Sequence, residues 1–332
     1  MPMIIPATGE RLPCRLALLL ILLMLAGCAT APQTRALFQD APAGLPARAE
    51  LMRVPFFPQE DYYCGPAALA TLLVDRGLPV TAEQLVPEVY LPQRAGSLQA
   101  ELLAAARARG LVADELSPEL EDLLREVAAG NPVLVLQNLG LRGVPRWHYA
   151  VVVGYDLPQR RIILRSGPHQ RHVNDFARFE RTWQRAGGWA VVTVKPDQPP
   201  ASAAPLPWLH AAHALEATGQ AEAAARAYAA ATQRWPEQPA GWFGLGNTRH
   251  VLGDHEAAEA ALRELLRRQP GLHMAWNNLA HVLAARGCGA QARAAADCAL
   301  RLAPEEPRYR NTREQLLEVG PGTACKPVKC PH

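Results

Sequence analysis

A 34-residue period in the C-terminal part of the chain restricts its fold more than any other feature. Three residue types recur at this spacing: Trp208, Trp242 and Trp276; Gly219, Gly253 and Gly287; Pro236, Pro270 and Pro304. Such a period is typical of repeats of two antiparallel helices, which bury their apolar faces only by stacking on their neighbours. The sequence therefore predicts an all-α solenoid of three repeats over residues 208–317, closed by a capping helix at 308–317.

These repeats resemble tetratricopeptide repeats, with Ala223 and Ala257 at a small packing position. Solenoids of this kind present a concave surface, so the resemblance implies a peptide or protein partner. Asn247, Asn277 and Asn278 lie on predicted first helices, from which polar side chains could contact a peptide backbone. The alternative is that the repeats serve only as a spacer.

Residues 51–194 combine helix and strand signals and predict an α+β domain. Helical periodicity and end signals predict four helices, at 64–75, 97–109, 117–130 and 175–185. Runs rich in Val, Ile and Leu predict four strands, at 132–137, 147–155, 161–165 and 189–194. Helices followed by an antiparallel sheet are typical of α+β folds. The Pro-rich segment 195–207 is expected to be a stiff, exposed linker to the repeats.

Cys64 and His148 are the candidate reacting pair of this first domain. Cys64 opens the first predicted helix, where unpaired N–H groups and the helix dipole lower the pKa of a thiol. His148 lies on the second predicted strand, and a helix-borne Cys facing a strand-borne His is how papain-like hydrolases bring base to nucleophile. Gln59 could join the Cys64 N–H in an oxyanion hole. Each residue alone is more often structural, but together they predict nucleophilic catalysis.

Two segments resemble the C39-like family of cysteine peptidases. They are PQEDYYCGPAA at 58–68 and WHYAVVVGYD at 147–156. The resemblance covers residues 51–194 and implies a papain-like fold that acts on a peptide or protein substrate. It implies Cys64 as nucleophile, His148 as general base and Gln59 in the oxyanion hole.

One position departs from the pattern of that family. The family places an Asp on the strand after the His, and the aligned position here is Ser166. A serine hydroxyl can accept a bond from an imidazole N–H, but it brings no charge to stabilise imidazolium. Asp156 and Asp175 are alternative partners of His148. The departure keeps open a peptide-binding module without activity. A further alternative on the same fold is an amidase or transpeptidase that acts on cell-wall peptides.

Residues 1–28 have the pattern of a bacterial lipoprotein signal. Arg11 and Arg15 precede ten apolar residues, too few to span a bilayer. The Leu-Ala-Gly-Cys that follows resembles a lipobox, which implies that Cys28 is lipidated and becomes the first residue of the exported protein. We therefore expect attachment to a membrane of the cell envelope, on the periplasmic face of the outer membrane, with residues 29–50 as a tether. An ordinary signal peptide or an uncleaved anchor is the alternative.

The remaining cysteines suggest disulfides in the C-terminal part, because export leads to an oxidising compartment. The candidates are Cys288, Cys298, Cys325 and Cys330. The most local of the three pairings joins Cys288 to Cys298, and Cys325 to Cys330 within a tail at 318–332. Cys64 is then left unpaired in its own domain, which suits a reactive thiol.

Charge and motifs argue against several other classes. The net charge of +3 is spread along the chain without a basic run, so no nucleic-acid partner is expected. The histidines and cysteines do not form a recognised zinc pattern, and His169 and His172 are expected to face solvent. The glycines do not form a nucleotide-binding loop. The sequence therefore predicts neither a metal nor a cofactor.

Overall fold

The computed structural model describes residues 31–58, 63–320 and 325–331. The predicted signal with Cys28, and the predicted oxyanion-hole residue Gln59, lie outside the described residues. The N-terminal part contains, in chain order, α1 (Pro32–Gln39), β1 (Arg48–Glu50), α2 (Cys64–Asp75), α3 (Ala82–Val89), α4 (Gln99–Arg107), β2 (Val112–Glu115), α5 (Leu120–Ala128), β3 (Val133–Asn138), β4 (Trp147–Asp156), β5 (Arg161–Ser166), β6 (His169–Asp175), α6 (Phe176–Gln184) and β7 (Ala190–Val194). Within the described ranges, no helix has the length and apolar character needed to cross a bilayer.

The strands form one antiparallel sheet in the order β2–β7–β3–β4–β5–β6, and β1 pairs with the second half of β4. Side chains alternate between the two faces of the sheet, as the two-residue period of a strand requires. On one face Leu134, Tyr149 and Val151 pack with α2, α3 and α4. On the other face Ala150 and Val152 pack with α1, α5 and α6. The predicted α+β domain is therefore a sheet covered by helices on both faces.

The N-terminal segment differs from the tether expected over residues 29–50. The backbone N–H groups of Gln33 and Thr34 donate hydrogen bonds to the buried carboxylate of Glu180, at 3.0 and 2.7 Å. Leu37 is buried against the sheet, and β1 adds to β4. Because this segment fills part of the core, the tether prediction is wrong for residues 32–50.

Besides α1 and β1, three elements of this part were not predicted, namely β2, β6 and α3. Strand β6 reads HQRHVND and lies at the edge of the sheet with most side chains exposed, so it lacks an apolar face. Strand β2 has only four residues. Helix α3 does have a local sequence signal, since Thr81 and Gln84 form a capping box at its start.

The C-terminal part consists of paired helices, as the period predicts. They are α7 (Pro205–Ala217), α8 (Ala221–Arg234), α9 (Pro239–Val251), α10 (His255–Arg268), α11 (His273–Ala285), α12 (Gly289–Leu302) and α13 (Pro307–Gln315). The repeated glycines end the first helix of each pair with a positive φ, between 74° and 79°, which glycine adopts without strain. Trp242 and Trp276 donate from Nε1 to the carbonyls of Pro236 and Pro270, at 2.8 and 2.7 Å. Repeated residues thus make repeated contacts.

The first repeat shares its core with the sheet. Trp208 is fully buried in the same apolar cluster as Val112 on the edge strand β2 and Val194 on the adjacent strand β7. The segment expected to be an exposed linker is held against both parts. Ser202 donates its N–H to Glu126 on α5, and Arg234 donates to the carbonyl of Pro200 at 2.8 Å. The Pro-rich segment therefore joins the two parts tightly instead of separating them.

The disulfide pairing is non-local. Cys288 pairs with Cys325, and Cys298 pairs with Cys330. The local pairing is wrong because Cys288 and Cys298 lie ten residues apart along α12, which corresponds to about 15 Å, whereas bonded cysteines need Cα atoms about 5.5 Å apart. The extended tail spans a similar length over five residues, so it runs along the helix and is bonded at two points.

Candidate active site

Cys64 is the first residue of α2, as the sequence predicts. The backbone N–H groups of Tyr149, Gly65 and Cys64 lower the pKa of its thiol. The Tyr149 N–H belongs to the residue that follows His148 on β4. The start of α2 therefore places the thiol beside the strand that carries the predicted base.

Gly65 allows α2 to approach the segment before α4. A Cβ at this position would collide with the side chain of Ser97, so only glycine permits this packing. Tyr149 donates its hydroxyl to the Ser97 carbonyl at 3.3 Å. The glycine of the Cys-Gly-Pro element thus has a packing role that fixes the start of the Cys64 helix.

The pKa of Cys64 differs from the sequence-based expectation. Burial of the thiol raises the pKa of Cys64, because a thiolate loses its solvation there. The three N–H groups act in the expected direction and lower it, but burial has the larger effect. Cys64 is therefore a neutral thiol at neutral pH, and it needs a base before it can attack.

The structure brings His148 and Ser166 together. His148 Nε2 lies 2.8 Å from Ser166 Oγ, on the next strand of the sheet. Neither alternative carboxylate contacts the imidazole in the described part of the chain. Asp156 pairs with Arg48 at 2.8 Å near the far end of β4, and Asp175 accepts the first N–H groups of α6. Ser166 is therefore the residue in position to orient the imidazole, and its role in a reaction stays a prediction.

The surroundings of His148 disfavour its protonation. Burial lowers the pKa of His148 to about 4, with the positive charges of His172 and Arg146 as further causes. His172 lies on β6 and is half-buried, although the sequence predicts that it faces solvent. Its ring stacks on that of His169, with centroids 5.8 Å apart. The sequence does not predict the proximity of His172 to the site, because strand β6 lacks the apolar pattern of a strand.

The arrangement can supply a general base but not a preformed ion pair. At neutral pH the imidazole of His148 is neutral and can accept a proton, while the thiol of Cys64 holds one. Papain-like thiolates are stabilised by an adjacent imidazolium, which a carboxylate or amide partner orients. Because Ser166 is uncharged, a cation on His148 would have no anionic partner at that position.

Replacing Ser166 with Asp is expected to raise the pKa of His148, because a carboxylate at hydrogen-bond distance favours imidazolium. An increase of one unit corresponds to tenfold in the equilibrium, so alkylation of Cys64 by iodoacetamide near pH 6 should accelerate about tenfold. In the unchanged protein, alkylation should instead rise steadily with pH toward the raised pKa of the thiol. Rates measured by mass spectrometry across pH check this.

Ser166→Asn is the matched control, since it is similar in size to Asp and carries no charge. Equal rates in the Asp and Asn variants would show that charge at position 166 does not govern the thiol.

The asparagines of the repeats are partly engaged with one another. Asn278 donates to Asn247 at 2.7 Å, which links the first helices of two repeats. The side-chain oxygen of Asn277 is buried without a hydrogen-bond partner among the described residues. Contact of these residues with a peptide stays a prediction.

Matches to two family models agree with this architecture. Residues 51–191 match the Peptidase_C39 like family, and residues 209–273 and 251–307 match the tetratricopeptide repeat. A crystal structure of a candidate C39-like peptidase from Bacillus anthracis matches at 22% identity and a TM-score of 0.39, covering 45% of this chain and 98% of that one. No curated protein matches the chain. Residues 51–191 thus form a domain of the C39-like peptidase family, and tetratricopeptide repeats follow it.

Proposed function

We propose that this protein is a lipid-anchored cysteine peptidase of the bacterial cell envelope. Cys64 attacks an amide carbonyl after His148 has taken its proton, and His148 then protonates the leaving amine. Water hydrolyses the resulting thioester, again with His148 as base. Gln59 and the backbone N–H of Cys64 stabilise the oxyanion, and Ser166 orients the imidazole. The repeats recruit the substrate or an envelope protein partner.

One observation carries this proposal. Cys64 is the first residue of a helix, and the backbone N–H that most lowers the pKa of its thiol belongs to Tyr149, directly after a histidine whose Nε2 lies 2.8 Å from Ser166 Oγ. A buried structural cysteine needs neither a helix start nor a neighbouring oriented imidazole. The family match of the domain supports the same reading.

The test is covalent labelling of residues 29–332, with Cys28 removed, by an electrophilic peptide probe. Mass spectrometry should find an adduct on Cys64 that is absent in Cys64→Ala and strongly reduced in His148→Ala. Circular dichroism of each variant verifies folding. A folded protein that forms no adduct, or one that labels equally without His148, would contradict a working Cys–His pair.

A second candidate function is peptide binding without turnover. The neutral thiol, the low pKa of His148 and the uncharged Ser166 favour it, because each disfavours the ion pair of an efficient peptidase. In that case peptides would bind to the Cys64→Ala variant as tightly as to the unchanged protein, and no cleavage product would appear in either.

A further inference from the structure

The β3–β4 hairpin carries an exposed apolar tip next to the candidate site. Leu141, Val144 and Trp147 are 74%, 72% and 57% exposed, and Trp147 directly precedes His148. Arg142 and Arg146 lie between them in the sequence. Single exposed apolar residues are ordinary, but three within seven residues of one hairpin form a patch that calls for a partner.

The hairpin is held in shape by its own hydrogen bonds. Leu139 donates to the carbonyl of Arg146 at 2.8 Å, and the side chain of Asn138 accepts the N–H groups of Gly140 and Arg146. Arg185, after α6, donates to the Asn138 carbonyl at 2.9 Å. The apolar tip is thus presented by a braced turn, so its exposure is a property of the folded protein.

The first described residues lie at the same end of the sheet as this hairpin. Strand β2 runs in the direction of β3, because both pair antiparallel with β7, so Pro118 after β2 lies at the end where β3 leads into the hairpin. The carbonyl of Pro118 accepts hydrogen bonds from the side chains of both Gln33 and Gln184. Gln184 is the neighbour of Arg185, which contacts the base of the hairpin. Helix α1 therefore starts close to the hairpin.

The docking of α1 shortens the connection to the predicted lipid. If Cys28 carries the lipid, as the proposed function has it, only Ala29 and Thr30 separate it from the described chain at Ala31. Three residue steps reach about 10 Å even when fully extended. A longer, free tether would let the domain tumble away from the membrane. This short connection instead holds one end of the sheet at the membrane surface.

We propose that the β3–β4 hairpin contacts the lipid bilayer, with Leu141, Val144 and Trp147 in the headgroup region and Arg142 and Arg146 on lipid phosphates. Apolar and aromatic side chains flanked by arginine suit this interface. The proposal rests on the lipid anchor of the proposed function. As a consequence, Cys64 and His148 lie at the membrane surface, so the substrates are peptide segments close to the membrane.

Vesicle flotation of residues 29–332, which lack Cys28 and therefore its lipid anchor, tests this contact. The vesicles contain phosphatidylethanolamine and phosphatidylglycerol. We expect the protein to float with the vesicles, and Leu141→Ser/Val144→Ser to lower its partition at least tenfold. Val251→Ser is the matched control, because Val251 is 74% exposed on the repeats, and it should partition like the unchanged protein. Arg142→Ala should weaken binding to these vesicles and not to phosphatidylcholine vesicles.

No flotation of the unchanged protein, or equal flotation of the Leu141/Val144 variant, would overturn the proposal. If that variant floats normally but loses labelling by the peptide probe, the hairpin binds peptide and not lipid. Labelling of Cys64 in solution needs no vesicles, so failure of membrane contact leaves the peptidase proposal standing, and the reverse also holds.

Discussion

Loss of either disulfide, through Cys288→Ser or Cys298→Ser alone, is expected to lower the free energy of unfolding of the repeats by about 4 kcal/mol. The two bonds close loops of 37 and 32 residues, and a cross-link stabilises mainly by restricting the unfolded chain. Because the loops overlap, the loss in the double variant should be smaller than the sum of the single losses. Urea unfolding followed by tryptophan fluorescence measures each change.

The folded tail adds to this effect, since Arg263 on α10 donates to the carbonyls of Lys326 and Pro327, at 2.8 and 3.0 Å. Releasing the disulfides frees the tail, and these contacts with it. Adding a reductant to the unchanged protein should reproduce the result. Cys64→Ser is the control, because Cys64 forms no disulfide, and a loss of similar size in that variant would argue against the disulfides as the cause.

Truncation of Trp208 to Ala should destabilise both parts of the chain by about 3–5 kcal/mol, the usual cost of removing a buried Trp. The indole is fully buried between the first repeat and the sheet, and its Nε1 donates to the Ala227 carbonyl at 2.9 Å. Because the cavity would lie in a core that both parts share, the peptidase domain should unfold together with the repeats. Limited proteolysis with mass spectrometry reports on each part separately.

Trp242→Ala is the matched control, since this residue occupies the same repeat position but is only half-buried and lies away from the sheet. It should loosen the repeats and leave the fragments of residues 51–194 protected. If Trp208→Ala also leaves those fragments protected, the two parts fold independently.

The sequence predicts the architecture well where apolar side chains repeat. The 34-residue period and the Val-rich strands lead directly to the solenoid and to the centre of the sheet, both confirmed. Three of the misses, α1, β1 and β6, share one cause, since these elements are short or polar and owe their structure to contacts made elsewhere in the chain. Glu180, which accepts the start of α1, lies 146 residues from Thr34. No local pattern contains such a contact.

In the candidate site, too, some features follow from local sequence patterns and others depend on contacts that are distant in the chain. Cys64 at a helix start and Ser166 beside His148 follow from motif and strand register. The electrostatics do not, because the pKa of each group depends on how deeply the fold buries it. The helix start alone suggests a lowered thiol pKa, yet burial reverses the direction. The pairing of Cys288 with Cys325 likewise depends on the path of a tail that local spacing does not reveal.

The shared core at Trp208 gives the repeats a fixed geometry relative to the thiol. Strand β7 runs antiparallel to β3, so the chain leaves the sheet toward the repeats at the end opposite the hairpin and Cys64. Under the proposed function, a flexible joint would allow a protein bound to the repeats to present many peptide bonds to Cys64. A rigid joint would instead fix the distance between the repeats and Cys64, so that the bond cleaved would be selected by its distance from the bound segment and only secondarily by the residues around it.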